Sequence, residues 1–179
     1  MHLPENQNRL IAKLTAQHKN VIVVLHNGSP VEMPWAEDVA AILEMYLGGD
    51  GVSEATLALL YGDANPSGKL AETFPLRLED NPSYLSFPGE NGISEYREGI
   101  FVGYRYYDKK KMDVRFPFGH GLSYTTFAYS DFALSADTLQ EGKAVEVSFT
   151  LTNTGSRAGA EAMQLYICAE GGQVIRPLK

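Results

Sequence analysis

The chain has 179 residues, 44% of them apolar and 21% charged, which reads as a soluble globular chain with room for one domain or two small ones. A formal net charge of −7 repels a phosphate backbone or an anionic bilayer surface, so neither nucleic acid nor membrane is expected as a partner. One cysteine, Cys168, allows no internal disulfide and no cysteine-rich zinc site, and reads as a small buried hydrophobe. The longest apolar run, VIVVL at 21–25, is far short of the roughly 20 residues of a membrane helix, and MHLPENQNRL lacks the basic start and the apolar centre of an export signal.

Pro4 opens a helical pattern in which Leu10, Ile11 and Leu14 share a face and Lys19 with Asn20 supplies an end. VIVVL is short, continuous and β-branched, which predicts a strand covered on both faces of a parallel sheet. Beyond the loop HNGSPVEMPW, residues 36–47 place Val39, Ile42, Leu43, Tyr46 and Leu47 at helical spacing, and a second helix is expected there. A turn containing Gly48, Gly49 and Gly51 leads into a short helix with Ser53 as its N-cap, which ends at the breaker cluster 63–68. The turn lacks the lysine-bearing ending of a phosphate-binding loop and the spacing of the dinucleotide motif, so phosphate is not expected on it. LAETF reads as a strand at the edge of the same sheet. Residues 1–75 therefore predict part of an α/β domain with a mostly parallel sheet.

The composition changes after residue 75. From there to FPFGHG, prolines, glycines, aromatics and charges follow one another without a sustained period, which predicts a long irregular segment over 76–127. In 128–179 the pattern alternates. AVEVSFTLTN sets Val145, Val147, Phe149 and Leu151 on one side, and MQLYI sets Met163, Leu165 and Ile167 on one side. Both read as strands of an antiparallel β-sandwich too short to be complete.

No catalytic constellation stands out. His2, His18, His26 and His120 are scattered without metal-ligand spacing and read as surface or hydrogen-bonded residues; no metal and no cofactor is expected. No nucleophile elbow occurs, so Ser29 and Ser123 read as turn residues, as does the NGS at 27–29. Glycoside hydrolysis needs two carboxylates about 5 to 9.5 Å apart, and an abundance of acidic residues selects no such pair. Loop 26–35 is a candidate for a ligand site because it directly follows a parallel strand, with Glu32 and Trp35 in reach of an interface; Trp35 reads equally as a packing anchor.

YREGIFVGYRYYD, followed by FPFGHGLSYTTF, resembles the stretch that joins the second and third domains of glycoside hydrolase family 3, the β-glucosidase family. LPENQNRLI, VIVVLHNGSPVEMPW, GGDGVSEATLALLYGDANPSGKLAETFP and LTNTGSRAGAEAMQLYI resemble further family segments, in family order. The resemblance implies a three-part enzyme: a (β/α)8-type barrel carrying an aspartate nucleophile, an α/β sandwich domain with a glutamate acid/base on a loop, and a fibronectin type III-like domain. It places 1–75 at the end of the sandwich domain, makes 76–127 an interdomain strap along the barrel, and sets 128–179 at the start of the third domain. Both catalytic carboxylates would then precede Met1, and the chain alone would not hydrolyse glycosides. The density of aromatic and charged groups makes Tyr96 and Glu98 the candidates for lining a β-glucoside or oligosaccharide site from its rim, against a packing role for the same residues. Two functions stay open: part of a retaining β-glucosidase, or a non-catalytic sugar-binding or interaction module.

Overall fold

A computed structural model describes residues 1–138, 140–167 and 171. Cys168, expected to be buried, lies outside these residues. The described residues form a mixed helix and strand structure.

Helix α1 (Glu5–Gln17) begins directly after Pro4, whose fixed φ of −51° directs the chain into the first turn. Of its expected apolar face, Ile11 packs against the core while Leu10 and Leu14 stay exposed. Strand β1 (Ile22–Leu25) follows and pairs in parallel with β2 (Ala41–Glu44), from Ile22 opposite Ala41 to Leu25 opposite Glu44. The helix expected over 36–47 is therefore absent. Short turns, Ala36 N–H to the Met33 carbonyl (3.1 Å) and Asp38 N–H to the Trp35 carbonyl (2.9 Å), press this segment into the core, and Ala40 N–H then bonds the Val21 carbonyl at 2.8 Å. The free edge of β1 decides the outcome, since a short apolar run fits either structure. Nor is β1 covered on both faces within the described residues: Leu25 is buried and Ile22 is exposed.

Helix α2 (Val52–Tyr61) is preceded by a 3-10 turn at Gly49–Gly51, so Gly51 stands at the N-cap with helical angles. Ser53 lies inside the first turn and caps nothing; an N-cap side chain needs an extended backbone to reach the following N–H groups, and the turn removes it. The helix ends at Gly62, left-handed at φ 81°. Strand β3 (Phe74–Pro75) does not join the parallel sheet but pairs antiparallel with β4 (Val114–Phe116). Among the described residues there are three two-stranded sheets, one parallel and two antiparallel, rather than one mostly parallel sheet.

Between β3 and β4 the chain is irregular apart from a 3-10 turn at Leu78–Asp80 and the short helix α3 (Tyr104–Lys110). The third sheet pairs β5 (Phe127–Leu134) with β6 (Val147–Asn153) around a bulge between Ser130 and Ala133. Of the expected alternating face of β6, Val147 and Leu151 are half-buried while Phe149 between them is exposed. Among the described residues β6 pairs with β5, and 163–167 holds a bridge residue, Tyr166, but no strand. The core, Leu25, Val31, Met33, Trp35 and Phe74, draws in Ile11 of α1, Ile42 of β2 and Phe116 of β4, which joins the two small sheets and α1 into one packed unit. No helix among the described residues is long and apolar enough to cross a membrane.

Candidate functional site

Parallel strands β1 and β2 end side by side, with His26 and Asn27 just beyond β1 and Glu44 as the last residue of β2. In open α/β sheets this is the edge where ligands gather. Asn27 follows β1 and donates from Nδ2 to the Ser29 carbonyl at 2.8 Å, while its Oδ1 is buried without a hydrogen bond. Glu44 closes β2. Its Oε1 accepts the Tyr46 N–H at 2.9 Å, and its Oε2 is buried without a partner, as is the Tyr46 hydroxyl. Tyr46 is held at a left-handed φ of 48°, which costs a non-glycine residue and bends the chain back over Glu44. Burial pushes the Glu44 carboxyl above its ordinary range, against the Tyr46 N–H, the Asn27 amide and His26, which favour the charged form; Glu72 adds to the rise. Burial likewise raises Tyr46, then Glu44 and Glu72 beside it, and burial alone raises Glu72. None of these four was selected from sequence. The available signal was a carboxylate ending an apolar run, AAILE, which an assignment as helix conceals.

Loop 26–35 serves mainly as structure. Trp35 is buried in the core with its indole N–H on Asn8 Oδ1 of α1 at 2.9 Å, the packing role. Glu32 ties two distant segments, accepting the Leu78 N–H at 2.7 Å on one oxygen and meeting His2 Nδ1 at 3.0 Å with the other.

The two residues selected from sequence lie apart in kind. Tyr96 is 85% exposed. Glu98 is half-buried with Oε2 unpartnered, and with Leu85, Phe101, Tyr106 and Lys109 it lines a cavity of about 380 Å3 that Tyr96 does not line. Lys110, also at this cavity, bonds the Tyr106 hydroxyl at 3.1 Å, and Arg97 pairs with Glu95. Nearby Tyr107 is buried and its hydroxyl is pushed up to about 12, first by burial and then by Tyr106, Asp80 and Glu72.

His120 is half-buried with its ring stacked on Phe116, 5.0 Å between centroids; burial, and then the charge of Lys69, lowers its pKa. Among the described residues no group of three or more His, Cys, Asp or Glu is placed to hold a metal ion.

The glycosyl hydrolase family 3 C-terminal domain model matches residues 1–124. The chain belongs to this family. Thermostable beta-glucosidase B of Acetivibrio thermocellus is 52% identical over 179 residues, which are all of this chain and 24% of that protein. Among solved structures, beta-glucosidase from Kluyveromyces marxianus in complex with glucose aligns with a TM-score of 0.90 and 39% identity over 100% of this chain and 22% of its own. Beta-glucosidase 3B from Thermotoga neapolitana in complex with alpha-D-glucose aligns with a TM-score of 0.89 and 40% identity, covering 99% of this chain and 26% of its own. The chain thus spans about a quarter of the length of its glycosyl hydrolase family 3 relatives. Both candidate regions, the β1 and β2 ends and the Glu98 cavity, fall inside the family match.

Proposed function

We propose that this chain is the C-terminal part of a retaining β-glucosidase that hydrolyses terminal, non-reducing β-D-glucosyl residues. The observation that carries the reading is the alignment of the whole chain, at 52% identity, with a thermostable beta-glucosidase of which it covers 24%. The two carboxylates that such chemistry requires, a nucleophile and an acid/base about 5 to 5.5 Å apart, then belong to the N-terminal part of the enzyme. The barrel there is the partner of this chain.

Within that enzyme, residues 1–75 complete an α/β sandwich domain, 76–127 form a strap between domains, and 128–179 begin a fibronectin type III-like domain. The antiparallel pairing of β5 with β6 supports the last assignment. Tyr96 and Glu98 reach the sugar from the rim of the site: an exposed aromatic ring offers a stacking face, and Glu98 at the wall of its cavity offers a carboxylate to hydroxyl groups. The test is the stereochemistry of hydrolysis. Proton NMR of the full-length protein acting on an aryl β-glucoside should show β-glucose as the first product; α-glucose first, or no glucose released, contradicts the reading.

A further inference from the structure

Asn-Gly occurs twice in the sequence, at 27–28 and at 91–92. An asparagine in this pair is open to attack by its own backbone, because glycine has no Cβ to keep the next main-chain nitrogen away from the amide carbon. The two copies have opposite surroundings. Asn27 is half-buried, its Nδ2 donates to the Ser29 carbonyl at 2.8 Å, and its Oδ1 is buried. Asn91 and Gly92 are both exposed, with φ of 52° and 76°, the left-handed pair that a two-residue type I′ hairpin turn needs. Glu90 and Ile93 close this turn, Glu90 N–H on the Ile93 carbonyl at 3.1 Å and Ile93 N–H on the Glu90 carbonyl at 2.9 Å. No described residue bonds the Asn91 side chain or the Gly92 N–H. We infer that Asn91 is a site of spontaneous deamidation in the folded protein, with water as the co-reactant, and that its contacts protect Asn27.

The Gly92 nitrogen attacks Asn91 Cγ. The new C–N bond closes a succinimide ring, the Cγ–Nδ2 bond breaks, and the leaving nitrogen takes up the Gly92 proton and departs as ammonia. Water then opens the ring on either side of the Gly92 nitrogen. Cleavage of its bond to Cγ gives aspartate, and cleavage of its bond to the main-chain carbonyl carbon gives isoaspartate, whose backbone runs through Cβ and Cγ. Ring closure requires rotation about the Asn91 Cα–C bond out of the turn. Among the described residues that rotation is opposed by the Glu90 and Ile93 bonds, in an isolated bridge that no strand extends. At Asn27 the same movement must also pull a half-buried amide off the Ser29 carbonyl. The two products differ in consequence. Aspartate keeps the turn, since Asp-Gly also suits type I′, and places a new negative charge beside Glu90. Isoaspartate lengthens the backbone and takes Ile93 out of register with Glu90, at a point where a Cβ on Gly89 would lie 2.2 Å from the Ile93 carbonyl oxygen. None of this rests on the glucosidase reading.

The test is a time course of the full-length protein held folded at mildly alkaline pH, where the attacking amide loses its proton more readily, and followed by tryptic peptide mapping with mass spectrometry. The Asn91 peptide should gain the mass of an amide-to-acid exchange and split into two products of equal mass, aspartate and isoaspartate, several-fold faster than the Asn27 peptide converts. In denaturant the two rates should come together, because the contacts that separate them are gone. Conversion of Asn27 as fast as Asn91 in the folded protein overturns the inference, and so does an Asn91 that stays intact when folded and converts only in denaturant. A rate ratio that is the same folded and unfolded overturns it as well, because the selectivity would then come from local sequence and not from the fold.

Discussion

Asn65 joins three segments through one amide. Its Oδ1 accepts from the Ser123 hydroxyl at 2.9 Å and the Tyr124 N–H at 2.8 Å, and its Nδ2 donates to the Ala158 carbonyl at 3.0 Å. Removing it strands partners on both other segments, so Asn65→Ala should cost about 1 to 2 kcal/mol in denaturant unfolding; an unchanged midpoint would show that water replaces the amide at no cost. Glu98 poses the opposite question, because its packing and its chemistry point to different losses. Glu98→Gln in the full-length enzyme should raise KM several-fold while kcat and the unfolding temperature hold, as expected of a carboxylate that binds substrate. A lower unfolding temperature with KM unchanged would assign Glu98 to packing instead.

At the scale of elements, the sequence showed what local patterns decide and concealed what pairing decides. Helix α1 and strand β1 were legible because Pro4 and the β-branched run at 21–25 act locally. β2 was not, since Val39, Ile42, Leu43 and Tyr46 satisfy helical spacing and only the free edge of β1, some twenty residues earlier, makes Ala41–Glu44 a strand. The same cause hid Glu44, whose place at a strand end exists only after that pairing. β3 found β4 across the irregular segment, and β6 found β5, while the periodic stretch 163–167 remained outside the strands. One more pairing holds the segments 68–70 and 119–121 together: Leu70 N–H bonds the His120 carbonyl and Gly119 N–H bonds the Leu70 carbonyl, both at 2.8 Å. Gly121 sits against this ladder, and a Cβ there would lie 2.5 Å from the Gly68 carbonyl oxygen. Backbone cannot give way as a side chain can, so Gly121→Ala should destabilise by about 1 to 3 kcal/mol, read as a lower thermal midpoint; a neutral result would mean that the two segments part without cost.

Across the whole molecule, the β5 and β6 pair is tied to the α/β part by charge as well as by Asn65. Lys69 and Glu161, both largely buried, meet at 3.2 Å, and Arg157 lies over the Tyr124 ring at 5.5 Å and bonds the Gly62 carbonyl. In the irregular segment between β3 and β4 the balance reverses: Leu85, Phe87, Ile93 and Tyr96 are 87, 74, 66 and 85% exposed. Its irregularity was legible from sequence in the absence of any sustained period. The most direct test is hydrolysis of a chromogenic aryl β-glucoside by the purified 179-residue chain beside the full-length protein. The account predicts turnover by the full-length protein and none by the chain alone; turnover by the chain, with contaminating enzyme excluded, would place a catalytic carboxylate pair within these residues and contradict it.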